Sequence, residues 1–300
     1  MASAVPPVTS PSFVDDKSPL CIPFITGLLE QRTQKDDIRP FLIGLNGVQG
    51  VGKTTLVKSL ADSLRNLGHN TLVFSIDDLY LKHEDQVALA RSHPDNLLMQ
   101  QRGEPGTHDM QLARDFFDNI TKGKPTKVPS YDKAAFSGQG DRVPQSQWAQ
   151  VNAPGQPKVQ VVIFEGWCVG FRALPESEVE FKWRAHSKTL QNHKLEHLLL
   201  VNERLKEYDA MTDLLDVFIH IDADNTQYVY DWRLQQEAAL RQERGTGMTD
   251  EQVVRFVDGY YPAYELFSDN VRRGILPNVP GHQMRLVVGK DRRVKENLVI

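Results

Sequence analysis

Cysteine is scarce: Cys21 and Cys168 are the two in 300 residues, far apart and with no Cys-x-x-Cys pair. That argues against a structural zinc site and fits a reducing compartment. No apolar run approaches the roughly 20 residues needed to cross a bilayer, so no membrane partner is expected. Residues 1–16 hold no Lys or Arg, two Asp and several Pro and Ser. They lack the basic and apolar regions of a secretory signal and the arginines of an organellar transit peptide. The cytoplasm is therefore the expected location, with the nucleus as a second. Basic charge is not in excess either, with 35 Lys and Arg against 39 Asp and Glu and a net charge of −4. Nucleic acid is thus not expected as the main partner. No fixed-period repeat is present, and no oligomeric state is assigned.

What is present is an ordinary globular composition, 40% hydrophobic and 25% charged, with enough apolar residues for a sizeable core. One stretch organises it: Gly47-Val48-Gln49-Gly50-Val51-Gly52-Lys53-Thr54-Thr55. Gly47, Gly52, Lys53 and Thr54 fill the four fixed places of the phosphate-cradling loop G-x-x-x-x-G-K-[ST]. The apolar run Phe41 to Leu45 precedes it as a strand. Leu56, Leu60, Leu64 and Leu67 follow on one helical face, with Gly68 where a C-terminal cap belongs. A strand-to-helix turn is what the motif needs. Backbone N–H groups and the helix N-terminus would receive phosphate oxygens, Lys53 would reach the β/γ-phosphates, and Thr54 would place its hydroxyl on Mg²⁺. The expected ligand is a nucleoside triphosphate.

Residues 1–16 read as a disordered tail, and 17–300 as a single domain. A helix is predicted over Pro19 to Gln34. Strands are predicted at Thr71 to Ile76, Val159 to Phe164, Asp216 to Ile221 and Gln283 to Val288, the last followed by a basic tail. Helices are expected over Thr107 to Ile120, His193 to Tyr208, Asn225 to Arg244 and Tyr260 to Asn270. Another should open at Thr249, whose spacing from Gln252 is that of a capping box. Residues 121–157, broken by Pro and Gly, and 170–190 read as insertions, with Glu176 to Lys188 a polar connection. Strands alternating with helices imply an α/β fold with a mainly parallel, doubly wound sheet.

In such sheets the ligand lies outside the carboxyl ends of the strands. Two acidic features share those ends with the loop: Asp77-Asp78 after the second strand, and Glu165 after the third. Phosphoryl transfer to an alcohol uses a carboxylate to accept the hydroxyl proton, and magnesium on phosphates takes one or two more. Glu165 is the metal-side candidate and Asp77 the base, with Asp77 also within reach of the metal. Asx turns and solvated strand ends are the structural alternatives, and Asp78 could equally cap the next segment. The helix from 225 to 244 carries Arg233 and Arg241 before Gly245-Thr246-Gly247. It reads either as a kinase lid, bringing arginines to the phosphates, or as a solvated charged face. Arg102, His108, Tyr131, Asp132 and Lys133 lie in loops that could meet an acceptor, or simply solvent.

Several separated blocks carry a family resemblance: Ser75-Ile-Asp-Asp-Leu-Tyr-Leu81, Arg102-Gly-Glu-Pro-Gly-Thr-His-Asp109 and Pro129-Ser-Tyr-Asp-Lys133. Phe164-Glu-Gly-Trp167, Trp232-Arg-Leu-Gln-Gln-Glu237 and Gly247-Met-Thr-Asp-Glu251 continue it in the same order. Together, over about residues 20 to 275, they resemble the D-glycerate 3-kinase family, within the pantothenate, uridine and phosphoribulokinase-like P-loop kinases. The resemblance implies a three-layer α/β/α P-loop fold with strand order 2-3-1-4-5 and a helical lid around 225–247. It makes Asp77 the catalytic aspartate and Glu165 the Walker B acid, and it favours a lid role for Arg233. The blocks holding Asp78, Tyr80, Arg102, His108 and Tyr131 to Lys133 would face the acceptor. One departure is Gly289-Lys-Asp-Arg-Arg293, which stands where the family has an acidic-then-Arg segment near the nucleotide base.

The resulting expectation is an ATP- and Mg²⁺-dependent kinase acting on the hydroxyl of a small molecule, D-glycerate being suggested by the resemblance. A nucleoside, pantothenate-like or sugar acceptor is an alternative, as is a nucleotide-binding regulator without transfer. The chain has no Asn-Lys-x-Asp run of the guanine-reading kind.

Overall fold

Phe41–Gly47 (β1) is buried at every position, so side chains on both of its faces are covered. A strand with that pattern belongs in the middle of a parallel sheet between helical layers. The computed structural model describes residues 15–33 and 39–300 and puts it there. The other strands are Thr71–Ser75 (β2), Val161–Gly166 (β3), Val217–Ala223 (β4), Gln283–Val288 (β5) and Val294–Val299 (β6). Their order is β2-β3-β1-β4-β5-β6, parallel except for β6, which runs antiparallel to β5 at the edge. The expected order 2-3-1-4-5 is thus present with one strand added. The residues read as a basic tail form that strand. Its side chains are largely exposed, so backbone pairing rather than an apolar face holds it.

The helices are Ser18–Thr33 (α1), Lys53–Asn66 (α2), His83–Ser92 (α3), Met110–Thr121 (α4), Glu176–Arg184 (α5), Leu195–Leu205 (α6), Asp209–Thr212 (α7), Tyr228–Arg244 (α8), Asp250–Asp258 (α9) and Tyr261–Arg273 (α10). α2 buries Leu56, Val57, Leu60, Ala61 and Leu64, and α9 opens on the expected capping box of Thr249 and Gln252. Two helices escape the sequence pattern. α3 buries only Gln86, and α5, read as a polar connection, buries only Val179, so neither carries an apolar stripe. The 121–157 stretch holds two small antiparallel ladders, Thr126–Lys127 with Gln150–Val151 and Tyr131–Asp132 with Asp141–Arg142.

Of the expected N-terminal tail, residues 1–14 lie outside the described residues. Asp15 accepts hydrogen bonds from Ser18 and from Ser59 of α2. No described helix is long and apolar enough to cross a membrane.

Candidate active site

The carboxyl end of the sheet gathers the predicted groups through strand register. Leu45, Glu165 and Ser75 stand abreast on the neighbouring strands β1, β3 and β2. Immediately after Ser75 the chain enters a 3-10 turn, Ile76–Leu79, where the Ser75 hydroxyl accepts from the Asp77 amide at 3.3 Å. Two residues beyond Leu45, it enters the glycine-rich loop.

Within that loop Gly50 (φ 81) and Gly52 (φ 103) adopt the left-handed conformation. Gly52 is the N-cap of α2, so the helix begins at Lys53 with its first-turn amides free of intrahelical partners. Those amides and the positive end of the helix make an anion site. The Lys53 ammonium folds back into the loop and donates to the carbonyls of Gly47 (2.7 Å) and Val48 (3.2 Å). Burial lowers its pKa, and the charges of Glu165 and Asp77 partly offset that. The Gln49 side chain accepts from the Tyr264 hydroxyl of α10. Thr54 and Thr55 are exposed on the first turn of α2.

Asp77 is the electrostatic centre. Its Oδ2 accepts from Lys133 Nζ at 2.6 Å, while Oδ1 is buried with no hydrogen-bond partner. Desolvation pushes its pKa up, but Lys133, with smaller help from His108 and Lys53, outweighs that and holds the carboxyl below its usual range. Asp77 is therefore ionised, half-satisfied and paired with an exposed cation. Half-buried Glu165, at the end of β3, shares its neighbourhood, since both carboxylates act on the Lys53 ammonium.

Other predicted residues have partners within the protein. Asp78 accepts from the Tyr131 amide at 3.1 Å, 53 residues along the chain, and burial raises its pKa to about 6. Tyr80 is buried, stacked on His108 at 4.3 Å between ring centres. Burial pushes His108 down to about 4; its Nδ1 meets the Tyr208 hydroxyl at 2.6 Å and its Nε2 has no partner. Asp132 caps its own turn by accepting from the Ala134 amide. Arg102 donates to the carbonyls of Gly138 (2.7 Å), Gln139 and Lys133 (3.3 Å) and lies over the Tyr131 ring. It shapes the loop that carries Lys133. A cavity of about 720 Å³ opens between α3, the 137–139 turn and α9, with Arg102 and Tyr260 in its wall.

The two lid arginines are engaged elsewhere. Arg233 pairs with Glu237 at 3.0 Å and lies over Phe256. Arg241 donates to the Met248 carbonyl (2.6 Å) and Asp250 (2.7 Å), tying α8 to α9. What meets the loop from α8 is Trp232, fully buried: a Cβ on Gly50 would lie 2.7 Å from Trp232 Cβ. In the sequence Trp232 stands out only as part of the 232–237 block; the one trace of its contact with the loop is a glycine at a free position of the motif. Glu104, 1% exposed inside the Arg102–Asp109 block, carries no such trace. Neither Glu104 oxygen makes a hydrogen bond of regular geometry, and burial, offset only in part by the Ala263 backbone, raises its pKa well above the usual carboxyl range.

Comparison with known proteins finds kinases. Over 265 residues the chain is 38% identical to the "Uncharacterized kinase mug58" of Schizosaccharomyces pombe, spanning 87% of the chain and 92% of that relative. It is 38% identical over 237 residues to the chloroplastic D-glycerate 3-kinase of Arabidopsis thaliana, an alignment covering 77% of the chain and 48% of the longer plant protein. Among solved structures, a D-glycerate 3-kinase from Cryptococcus neoformans superposes with a TM-score of 0.85 at 32% identity, covering 94% of this chain and 99% of that one. No protein-family model matches the chain.

Proposed function

The chain belongs to the D-glycerate 3-kinase family of ATP-dependent small-molecule kinases, and from that premise we propose that its acceptor is D-glycerate or a close hydroxy acid. The loop amides and Lys53 hold the phosphates of ATP. Asp77 is the base: the acceptor O–H gives its proton to the carboxylate as its oxygen bonds to the γ-phosphorus, and the bond from that phosphorus to ADP breaks. Thr54, Glu165 and the unpartnered Oδ1 of Asp77 would hold Mg²⁺, which when bound would neutralise charge on the phosphates. Arg233 and Arg241 join the phosphates only after leaving Glu237 and Asp250, as a closing lid requires.

The observation that carries the acceptor class is the Lys133–Asp77 pair. With Oδ1 given to Mg²⁺, the proton goes to Oδ2; for that Lys133 must move off it, and a cation pulled from its anion needs another. An acceptor bearing a carboxylate beside its hydroxyl supplies one; a neutral alcohol does not. Arg102, through three carbonyls of the same loop, keeps Lys133 in reach.

Mg²⁺-ATP-dependent phosphorylation of D-glycerate should therefore exceed that of glycerol, the nearest neutral analogue, by at least about tenfold in kcat/KM. Equal use of both would remove the carboxylate argument. Tight ATP binding with no transfer to any hydroxy acid, sugar or nucleoside would mark a nucleotide-binding regulator instead.

A further inference from the structure

The turn between β5 and β6 lies against the phosphate loop. Arg292 sits there in the left-handed conformation (φ 65), which an arginine adopts only where its surroundings hold it. Its Nε donates to the Gly50 carbonyl at 2.7 Å, across 242 residues of chain. Its guanidinium lies over the Trp232 ring, 5.3 Å from the centre, and Nη2 donates to Gln235 at 2.9 Å. Trp232 Nε1 in turn donates to the Lys290 carbonyl at 2.7 Å, and Lys290 pairs with Asp231 at 2.6 Å. From behind, Lys17 Nζ donates to the Arg292 carbonyl at 2.6 Å, and Asp16 accepts from the Val294 amide at 2.8 Å. The turn is thus where the phosphate loop, the base of α8 and the 15–17 segment are fastened together.

The contact on Gly50 has a consequence fixed by peptide planarity. The carbonyl of Gly50 and the amide N–H of Val51 share one rigid plane and point in opposite directions. With the carbonyl drawn outward to Arg292, the Val51 N–H faces the loop interior, where its neighbour in this structure is the Val48 carbonyl at 3.4 Å. That carbonyl is the one Lys53 also touches. Rotation of the plane would turn a carbonyl oxygen toward the place phosphate oxygens must occupy.

We propose that Arg292 is a positioning residue for the phosphate loop, holding the Gly50–Val51 peptide with its N–H inward and anchoring the base of the lid helix to the same point. This rests on the loop's reading as a triphosphate site and not on the identity of the acceptor. ATP alone is therefore the probe.

The test is ATP affinity by calorimetry on the full chain, for wild type, Arg292→Ala, Arg292→Lys and the neighbouring control Arg293→Ala, with melting temperature recorded for each. A charge-assisted hydrogen bond of this kind predicts about a tenfold or greater loss of ATP affinity in Arg292→Ala. Arg292→Lys, which keeps a donor for Gly50 but not the planar stack, should recover part of it, and Arg293→Ala should match wild type. With an acceptor present, the KM for ATP should rise while that for the acceptor stays within about twofold, a split that general loosening does not produce. Unchanged ATP affinity in folded Arg292→Ala overturns the proposal, as does an equal loss in Arg293→Ala. Should Arg292→Ala not fold, Arg292→Lys decides alone: affinity equal to wild type overturns the proposal, and an intermediate value upholds it. Failure of wild type to bind ATP would overturn the triphosphate reading itself, a separate outcome.

Discussion

Replacing Gly50 by alanine tests the seat of α8 on the phosphate loop, and the cost follows from two separable parts. The backbone part arises from φ 81, a left-handed conformation that costs a residue with a Cβ about 1–2 kcal/mol. The packing part arises from Trp232, whose Cβ would stand 2.7 Å from the new methyl group. That neighbour is not the free end of a flexible side chain. It is attached to the backbone of α8 and belongs to a fully buried residue fastened to Lys290, so α8 itself must shift. Overpacking of this sort costs about 1–3 kcal/mol, bringing Gly50→Ala to roughly 2–5 kcal/mol. Gly68 supplies the comparison: φ 89, nothing within 4 Å of an added Cβ. Gly68→Ala should cost the backbone part alone, about 1–2 kcal/mol. Urea denaturation of both variants measures the difference, and ATP calorimetry should show a loss confined to Gly50→Ala. Equal destabilisation of the two, with equal ATP affinity, would refute the placement of Trp232 against the loop.

Asp77→Asn should leave ATP affinity nearly intact while lowering turnover at least about 100-fold, whereas Lys53→Ala should weaken ATP binding first; steady-state kinetics with calorimetry separate the two. Undiminished turnover in Asp77→Asn with the true acceptor would remove its role as base. His108 and His220 are buried, and burial holds each near 4 against 6.5 in the unfolded chain. The unfolded state therefore takes up protons first as pH falls, so stability is full above about 6.5 and declines toward 4. Each histidine contributes at most about 3 kcal/mol to that decline. Melting temperatures between pH 7 and 4.5 should show it, and His220→Asn should flatten the slope; an unaltered slope would mean His220 is protonated in the folded protein.

The donor half of the site was legible because a short motif dictates its backbone: the glycines of 47–52, the lysine and the following leucine stripe leave few other structures. The central strands were legible for a related reason, since short apolar runs such as Phe41 to Leu45 and Val159 to Phe164 belong to an inner strand or a core helix, and their length decides. α3, α5 and β6 were not, because each is held by polar contacts or backbone pairing that leaves no apolar period. The lid arginines show another limit. A charged helix face announces cations but not partners, and Glu237, Met248 and Asp250 take Arg233 and Arg241 here. Arg292 lies in the 289–293 segment that stood out only as a departure from the family's pattern, with no local signal of what it would touch. Its partners lie 242 residues away at Gly50 and 57 away at Gln235, and only the sheet's closing strands bring them together.

The ion pair between Lys133 and Asp77 also bears on what the enzyme does when no acceptor is at hand. A carboxylate able to deprotonate an alcohol could as readily steer a water molecule at the same phosphorus, and ATP would then be wasted. With Lys133 seated on it, the base is masked until something displaces the lysine, and water carries no charge with which to do so. The kinase at rest is thus its own safety catch. ATP hydrolysis without acceptor should be slow in wild type and faster in Lys133→Ala, and an idle rate that does not rise in that variant would show that the mask lies elsewhere.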